Sequence, residues 1–285
     1  MVAINIQWYP GHMTKTKRLI QENLKMVDMS VELVDARLPL SSRNPDIEKL
    51  MGQKPRIVAI NKSDLADPSV NMQWEKWFDS QGQKAILIDS VSGKGLKQIP
   101  NLCKEVLKDK IERQKQKGII SRSIKLMIVG IPNVGKSSFV NKFAGKASTK
   151  TGDKPGVTRG KQWIRIKREF ELLDTPGILW PKFEDVEVGK KLAYTGAIKD
   201  EIIDDLETLT CDLLTFLASN YAENLKNRYK LENVQDESGY ALLQAIAKKR
   251  GCVVAGGELD TLRAANIILD EFRGCKIGKV SLERP

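Results

Sequence analysis

The sequence predicts an α/β domain with a mostly parallel sheet, followed by a small all-α domain. Short apolar runs rich in β-branched residues alternate with helix-like stretches along the first 180 residues. Several of these runs end in a polar residue that opens a loop, as buried parallel strands commonly do. Beyond Trp180-Pro181 the apolar residues follow helical spacing. We therefore predict an α/β domain over residues 1–180 and a helical domain over residues 181–285.

The predicted strands fall into two groups separated by a charged segment. Each strand is a short apolar run, and the runs are Val31–Val34, Ile57–Ile60, Ala85–Ile88, Lys125–Val129, Trp163–Ile166 and Phe170–Leu173. Met72–Gln81 and Ile99–Gln116 are predicted helices. Residues 109–123 are charged and then contain Gly and Ser, which is typical of a linker between the two groups.

The helices predicted for the second domain depend on apolar spacing and on capping residues. The apolar residues at helical spacing are Leu206, Leu209, Leu213, Leu214, Leu217 and Tyr221, and then Leu242, Leu243 and Ile246. Asp236 and Asp260 are predicted to cap helices that end near Gly251 and Gly274.

Composition argues against several classes of protein. With 41% apolar and 29% charged residues, the chain has enough apolar surface for a core and is not expected to be disordered. No apolar run approaches the roughly 18–20 residues that a membrane helix needs. The first residues lack the pattern of a cleaved signal, so we expect a cytoplasmic protein. We also expect the protein to be a monomer when it is not bound to a larger partner. Four scattered cysteines and a single histidine argue against a zinc site or a disulfide framework.

The positive charge is concentrated in the first domain. The whole chain carries +11, of which residues 1–180 contribute +14 and residues 181–285 contribute −3. The densest run, Lys142 to Arg168, holds nine basic residues and one acid. An excess of this kind favours polyanion partners through phosphate neutralisation, although a generally basic, solvated surface has the same composition.

A phosphate-binding loop is predicted at Gly130–Ser137. The segment Gly-Ile-Pro-Asn-Val-Gly-Lys-Ser follows a predicted strand and precedes helix-compatible Ser138–Ala144, which is the setting that this motif requires. Backbone N–H groups surround phosphate oxygens, Lys136 reaches the β- and γ-phosphates, and the Ser137 hydroxyl ligates Mg²⁺. The predicted nucleotide contacts here are Asn133, Val134, Gly135, Lys136, Ser137 and Ser138.

Two further segments are predicted to contact the γ-phosphate side. Asp174-Thr175-Pro176-Gly177 ends a strand 37 residues after Ser137. Asp174 is predicted to hold Mg²⁺, and the Gly177 N–H is predicted to sense the γ-phosphate. Thr158, in the basic loop between them, is the predicted hydroxyl that closes over Mg²⁺ and the γ-phosphate. A structural turn explains Asp-x-x-Gly alone equally well, but the order and spacing favour function.

Guanine recognition is predicted at two strand ends. Asn61-Lys62-Ser63-Asp64 closes the Ile57–Ile60 strand. The Asp64 carboxylate can accept hydrogen bonds from the N1–H and 2-amino group of guanine, and adenine offers neither donor. Asn61 is predicted to tie this base loop to the phosphate loop, and the Lys62 stem is predicted to lie along the ring. After the next strand, Ser90 and Val91 are the predicted backbone contacts to the guanine O6.

The order of these motifs is the reverse of that in an ordinary small GTPase. The base-reading segments precede the phosphate loop, although the same sheet can form if the original termini are joined through residues 109–123. The sequence therefore predicts a circularly permuted P-loop GTPase domain that binds GTP and GDP with Mg²⁺. In this arrangement the segment after Gly177 runs directly into the helical domain.

The chain resembles the circularly permuted GTPases, in particular the bacterial ribosome biogenesis GTPase A family. Besides the permuted nucleotide motifs, the resemblance rests on segments spread along the chain: Trp8–Met13, Asp35-Ala36-Arg37, Ser42–Pro45, Gly256-Gly257-Glu258 and Phe272-Arg273. It implies a role in late assembly of the large (50S) ribosomal subunit, with hydrolysis triggered on the particle. It also implies that the partners are the subunit precursor and its rRNA, that the helical tail contacts rRNA, and that K⁺ stimulates hydrolysis.

The residue that positions the attacking water is not evident from the nucleotide motifs. Ile178 stands where many GTPases place a glutamine, so intrinsic hydrolysis is expected to be slow. The single histidine, His12, is either structural or, as the resemblance implies, the residue that positions the water. The side-chain oxygen of Asn133 either completes a K⁺ site beside the phosphates or simply fills a tight turn.

The sequence has no motif of the kind that reads an RNA base sequence. We therefore expect the protein to contact RNA through its shape and its phosphates. We expect no binding to DNA. The candidate contacts are Lys15, Lys17, Arg18, Lys248, Lys249, Arg250, Arg263, Arg273, Lys276 and Lys279. Lys248–Arg250 also suit the carboxyl end of a helix dipole. Two alternatives stay open: a GTPase that assists tRNA modification, and an RNA-binding scaffold that holds GTP without hydrolysing it.

Overall fold

The computed structural model describes Arg18 and residues 20–119, 123–145, 162–166, 169–174 and 185–285. These residues form two compact units. The sheet unit contains the described residues up to Asp174 together with Ser281–Pro285, and the helical unit contains residues 185–280. The predicted helical domain extended to residue 285, whereas the last five residues pack with the sheet unit.

The sheet unit is built on a set of mostly parallel strands. They are β1 (Met29–Asp35), β2 (Arg56–Asn61), β3 (Ala85–Leu87), β4 (Ile124–Val129), β5 (Gln162–Ile166) and β6 (Phe170–Asp174). Their order across the sheet is β3-β2-β1-β4-β6-β5, and β5 at one edge runs antiparallel to β6. Every residue of β1 is buried, which requires cover on both faces of the sheet. The predicted α/β class and its mostly parallel sheet are confirmed.

Helices cover this sheet. In the sheet unit they are Pro45–Met51, Pro68–Ser80, Ile99–Val106, Lys108–Gln116 and Lys136–Ala144, and residues 20–24 are also helical. Trp74 and Phe78 pack into one buried cluster with Val34 and Ile60. Their helix starts four residues before the predicted Met72, because the Asp67 side chain accepts a hydrogen bond from Ser69 N and Pro68 suits the first helical position.

The first half of the predicted linker at 109–123 is helical, in agreement with the overlapping helix prediction Ile99–Gln116. Lys108–Gln116 is an exposed helix, so the charged run continues the helical structure rather than ending it. Its Lys, Glu, Gln and Arg residues are strong helix formers that need no burial. The predicted single helix Ile99–Gln116 is interrupted at the buried Leu107, whose backbone (φ −98°, ψ 9°) is not helical.

The helical unit contains Val186–Tyr194, Leu206–Asn220, Ala222–Tyr229, Gly239–Lys249 and Thr261–Arg273. Most of the predicted apolar spacing is confirmed, because seven of its residues are buried in helices: Leu209, Leu213, Leu214, Leu217, Leu242, Leu243 and Ile246. Of the other two, Leu206 is half-buried, and Tyr221 is half-buried and lies between two helices. A Cβ on Gly239 would lie 2.1 Å from the Cys211 carbonyl oxygen, so glycine is what lets these two helices approach. In the described part of the chain, no helix is both long and apolar enough to span a bilayer.

One of the two predicted caps is correct. Asp260 accepts a hydrogen bond from Arg263 N at 2.9 Å and caps Thr261–Arg273. Asp236 was predicted to cap the preceding helix, but Ser238 does so by accepting from Ala241 N at 3.1 Å. The reason is position, because Ser238 directly precedes the first helical residue whereas Asp236 lies two residues further away.

Candidate nucleotide site

The phosphate loop connects β4 to the helix Lys136–Ala144 at the carboxyl edge of the sheet. Its two glycines occupy positions where a side chain does not fit. A Cβ on Gly130 would lie 2.7 Å from the Leu33 carbonyl oxygen, and one on Gly135 would lie 2.4 Å from Asn61 Nδ2. Gly135 also has a φ of +99°, which strains any other residue. The helix begins directly after it, so the positive end of the helix dipole faces the loop.

Lys136 is held over this loop. Its side chain is buried, and Nζ donates a hydrogen bond to the Ile131 carbonyl oxygen at 2.7 Å. An ammonium group is a compact donor of hydrogen bonds, and this contact fixes the direction of Nζ over the loop. The arrangement is suited to anion binding.

Asn61 joins three loops of the site. Its Nδ2 donates to the Val134 carbonyl oxygen of the phosphate loop at 2.7 Å. Its Oδ1 accepts from Ser90 N at 3.1 Å and from Ser90 Oγ at 2.8 Å, in the loop after β3. Asn61 is itself buried at the end of β2. The predicted tie between the base loop and the phosphate loop is confirmed, and it extends to a third segment.

Lys62 has a partner that sequence reasoning missed. Its backbone is left-handed (φ 60°), and its Nζ lies 3.1 Å from Asp35 Oδ2. Asp35 also accepts two hydrogen bonds from the Arg37 guanidinium, at 2.9 and 2.7 Å. The signal was available, because Asp35 ends β1 and the β1–β2 register pairs it with Asn61.

Burial and neighbouring charges together shift the pKa values of Asp35 and Lys62. Burial works to raise the pKa of Asp35, but Arg37 and Lys62 outweigh it and hold that pKa far below its ordinary value. Burial, assisted by Arg37, lowers the pKa of Lys62 despite the opposing charge of Asp35. Asp64, the predicted base-reading carboxylate, is exposed two residues further along.

The loop after β3 is shaped by an aspartate that the prediction did not include. Asp89 Oδ1 accepts from Val91 N at 2.8 Å and from Ser92 N at 3.2 Å. Burial works to raise the pKa of Asp89, but these hydrogen bonds and nearby Lys142 lower it. A Cβ on Gly93 would lie 2.7 Å from Lys142 Cε, so this loop also lies against the phosphate-loop helix.

Comparison with known proteins agrees with this geometry. The family model described as 50S ribosome-binding GTPase matches residues 125–249. Ribosome biogenesis GTPase A of Bacillus licheniformis is 51% identical over 280 residues, 98% of each chain. This chain belongs to the ribosome biogenesis GTPase A family. Two structures of Thermotoga maritima YlqF also match, the GDP-bound form (27% identity, TM-score 0.67, 94% of this chain and 99% of that one) and the GNP-bound form (28%, 0.66, 95% and 98%).

Membership of this family confirms the resemblance and the circularly permuted P-loop GTPase fold. In the structure, the base loop, the loop after β3 and the phosphate loop meet at Asn61. The base loop and the loop after β3 both precede the phosphate loop in the sequence. The site therefore belongs to the class that binds guanine nucleotides and hydrolyses GTP.

Several predicted site residues cannot be placed in this geometry. His12, Lys15, Lys17, Thr158 and Gly177 lie outside the described residues. Of Asp174, the backbone is described: it ends β6 opposite Ile128, two residues before the phosphate loop begins. Ser137 and Ser138, in the first turn of the phosphate-loop helix, are half-buried.

Two of the arginines predicted to contact RNA have internal partners. Arg250 Nη2 donates to the Glu271 carboxylate at 2.7 Å, and its guanidinium lies over the Tyr229 ring. Arg273 donates to both carboxylate oxygens of Asp200 and to the Ala193 and Tyr194 carbonyls. The other described candidates are exposed: Arg18, Lys248, Lys249, Arg263, Lys276 and Lys279.

Proposed function

We propose that this chain hydrolyses GTP during late maturation of the large ribosomal subunit and that the ribosomal particle stimulates hydrolysis. The observation that carries the proposal is the Asn61 junction of three nucleotide loops, in a chain 51% identical to a ribosome biogenesis GTPase. The precursor particle and its rRNA are the proposed partners, and the cytoplasm, where ribosomes are assembled, is the proposed site of action.

Guanine is recognised in this proposal by the base loop and the loop after β3. The Asp64 carboxylate accepts the N1–H and 2-amino donors of guanine, and adenine leaves that carboxylate without them. The backbone of Ser90 and Val91, held by Asn61 and Asp89, faces O6. Solved relatives in GDP-bound and GNP-bound forms support this class of ligand.

A magnesium ion fits the residue types at the phosphate end. Ser137, Thr158 and Asp174 offer hydroxyl and carboxylate oxygens, which are the ligands that Mg²⁺ prefers. The backbone of Asp174 lies at the same sheet edge as the phosphate loop, which supports its inclusion. When bound, the ion would neutralise charge on the β- and γ-phosphates.

The proposed reaction is in-line attack of water on the γ-phosphorus. The new bond joins the water oxygen to phosphorus, the bond to the bridging oxygen of GDP breaks, and the water protons pass to phosphate and solvent. Lys136 stabilises charge on the phosphate oxygens, while Thr158 and Gly177 sense the γ-phosphate. His12 is the proposed positioner of the water, since Ile178 cannot form the necessary hydrogen bond.

Single-turnover hydrolysis of GTP, with and without purified large subunits, tests this proposal. We expect a slow rate for the chain alone and a large increase with subunits, whereas ATP should neither bind nor be hydrolysed. A larger increase with tRNA than with subunits would favour the tRNA-modification reading. Saturable GTP binding with no hydrolysis under any of these conditions would favour a scaffold, the reading that Ile178 suggests.

A further inference from the structure

The last residues of the chain are fastened to the sheet unit by a strap, Ser281–Glu283. Ser281 and Leu282 are both buried. The Ser281 hydroxyl oxygen accepts a hydrogen bond from Asp67 N at 3.2 Å, and Leu282 N donates to the Arg37 carbonyl oxygen at 2.7 Å. These residues meet across more than 200 positions of sequence, so the contact belongs to the tertiary fold rather than to a local turn.

Glu283 completes the attachment. Its carboxylate accepts hydrogen bonds from Leu40 N at 2.9 Å and from Ser41 N at 3.2 Å, and also from the Ser41 hydroxyl. Hydrogen bonds to a charged acceptor are stronger than neutral ones. The strap therefore holds the loop that follows β1 at several successive points.

Both attachments of the strap lead to the base loop. Asp67 follows Asp64 by three residues and caps the helix Pro68–Ser80, so Ser281 fixes the segment that leaves the base loop. On the other side, the carbonyl of Arg37 is bound by the strap, while its guanidinium holds Asp35. Asp35 in turn pairs with Lys62. The strap is thus linked to Lys62 through Arg37 and Asp35, and to Asp64 through Asp67, three residues along the chain.

We propose that the strap positions Lys62 and Asp64 for guanine recognition, so that Ser281 and Glu283 are specificity-positioning residues. The inference rests on the proposed recognition of guanine by Asp64. Its physical basis is preorganisation: an exposed carboxylate on a loop discriminates between bases only if the loop is held in the binding geometry before the base arrives. The left-handed backbone of Lys62 is likewise a conformation that its surroundings must maintain.

The double variant Ser281→Ala/Glu283→Ala of the full chain tests this inference. Titrations with GDP and with inosine diphosphate, which lacks the 2-amino group, separate positioning from simple stability. We expect the variant to bind GDP roughly fivefold more weakly and to lose less affinity for inosine diphosphate, which offers Asp64 the N1–H donor alone. The preference for GDP over inosine diphosphate should therefore fall, as it should in Asp64→Ala.

Two further variants sharpen the outcome. Glu232→Ala removes an exposed glutamate of the helical unit and should leave both affinities unchanged. Glu283→Gln keeps the shape of the side chain and an acceptor oxygen, and it should give an intermediate preference for GDP over inosine diphosphate. This variant provides the test if the double variant folds poorly. An unchanged preference for GDP, including an equal loss of both affinities, would overturn the role of the strap. Absence of GDP binding by the unaltered chain would instead overturn the proposed function, and this inference with it.

Discussion

At the scale of single residues, Gly135 offers the sharpest test of the phosphate loop. Gly135→Ala places a methyl group 2.4 Å from Asn61 Nδ2, at the atom that ties the loop to the base side. Either the loop or Asn61 must move, and we expect affinity for GDP to fall more than about tenfold, the equivalent of 1.4 kcal/mol. Titration with a fluorescent guanine nucleotide measures the change.

Gly145, at the other end of the same helix, is the matched control. Its φ is also positive (+73°), but among the described residues, its two chain neighbours aside, no atom lies within 4 Å of an added Cβ. Gly145→Ala therefore costs about 1 kcal/mol of backbone strain without affecting the loop, and GDP affinity should be unchanged. Equal losses in the two variants would show that strain alone, and not contact with Asn61, requires Gly135.

Asn133 carries the prediction about potassium. Its left-handed backbone (φ 56°) agrees with a tight-turn role, while its side-chain oxygen suits a monovalent cation beside the phosphates. We expect faster GTP turnover in KCl than in NaCl at equal ionic strength. Asn133→Gly accommodates the same backbone without the side chain and should abolish the difference. Equal rates in the two salts for the unaltered chain would leave Asn133 with the turn alone.

At the scale of elements, a buried glutamate joins three segments of the helical unit. Glu271, in Thr261–Arg273, accepts hydrogen bonds from Arg228 at the end of Ala222–Tyr229 and from Arg250 after Gly239–Lys249. Glu271→Gln removes the negative charge from this junction, so the guanidinium groups of Arg228 and Arg250 lose their carboxylate partner there. We expect a loss of about 2 kcal/mol in the free energy of unfolding at pH 7, measured by urea titration.

The pH dependence of that loss identifies its cause. Burial works to raise the pKa of Glu271, but Arg228 and Arg250 hold it below its ordinary value. A lowered pKa means that the contribution is complete above the unfolded pKa of about 4.3 and disappears as pH falls through the folded value. The gap between Glu271→Gln and the unaltered chain should thus stay constant above the unfolded pKa and narrow progressively as the pH falls below it. Glu223→Gln, which affects an exposed pair with Lys226, should cost less than about 1 kcal/mol.

Elements with strong local patterns could be predicted from the sequence, and elements set by distant contacts could not. The strands were evident because buried apolar runs such as Ile57–Ile60 end in polar loops, and the helical unit was evident from its leucine spacing. The internal partners of Arg250 and Arg273 could not be predicted, because nothing in the local sequence reveals Glu271 or Asp200. The strap was missed for the same reason, since Glu283 and Ser41 meet 242 positions apart.

At the scale of the whole molecule, the net charge of +11 is the property that bears on docking to RNA. A phosphate contact made by a lysine releases counterions, so each such contact adds to the salt dependence of binding. Lys248 and Lys249 are exposed at the end of Gly239–Lys249, where they suit either RNA contact or the helix dipole. Removing the two lysine side chains distinguishes these two roles, because each role predicts a different change in binding and stability.

We expect Lys248→Ala/Lys249→Ala to bind purified large subunits more weakly, with the slope of log affinity against log salt concentration reduced by about 2. Affinity for GDP should be unaffected, since the substitutions lie in the helical unit. Arg250→Ala is the contrast, because it breaks the Glu271 junction and should lower the stability of the helical unit as well. If the double lysine variant loses stability but keeps the full salt slope, both lysines act on the helix dipole. Docking would then depend on other basic residues.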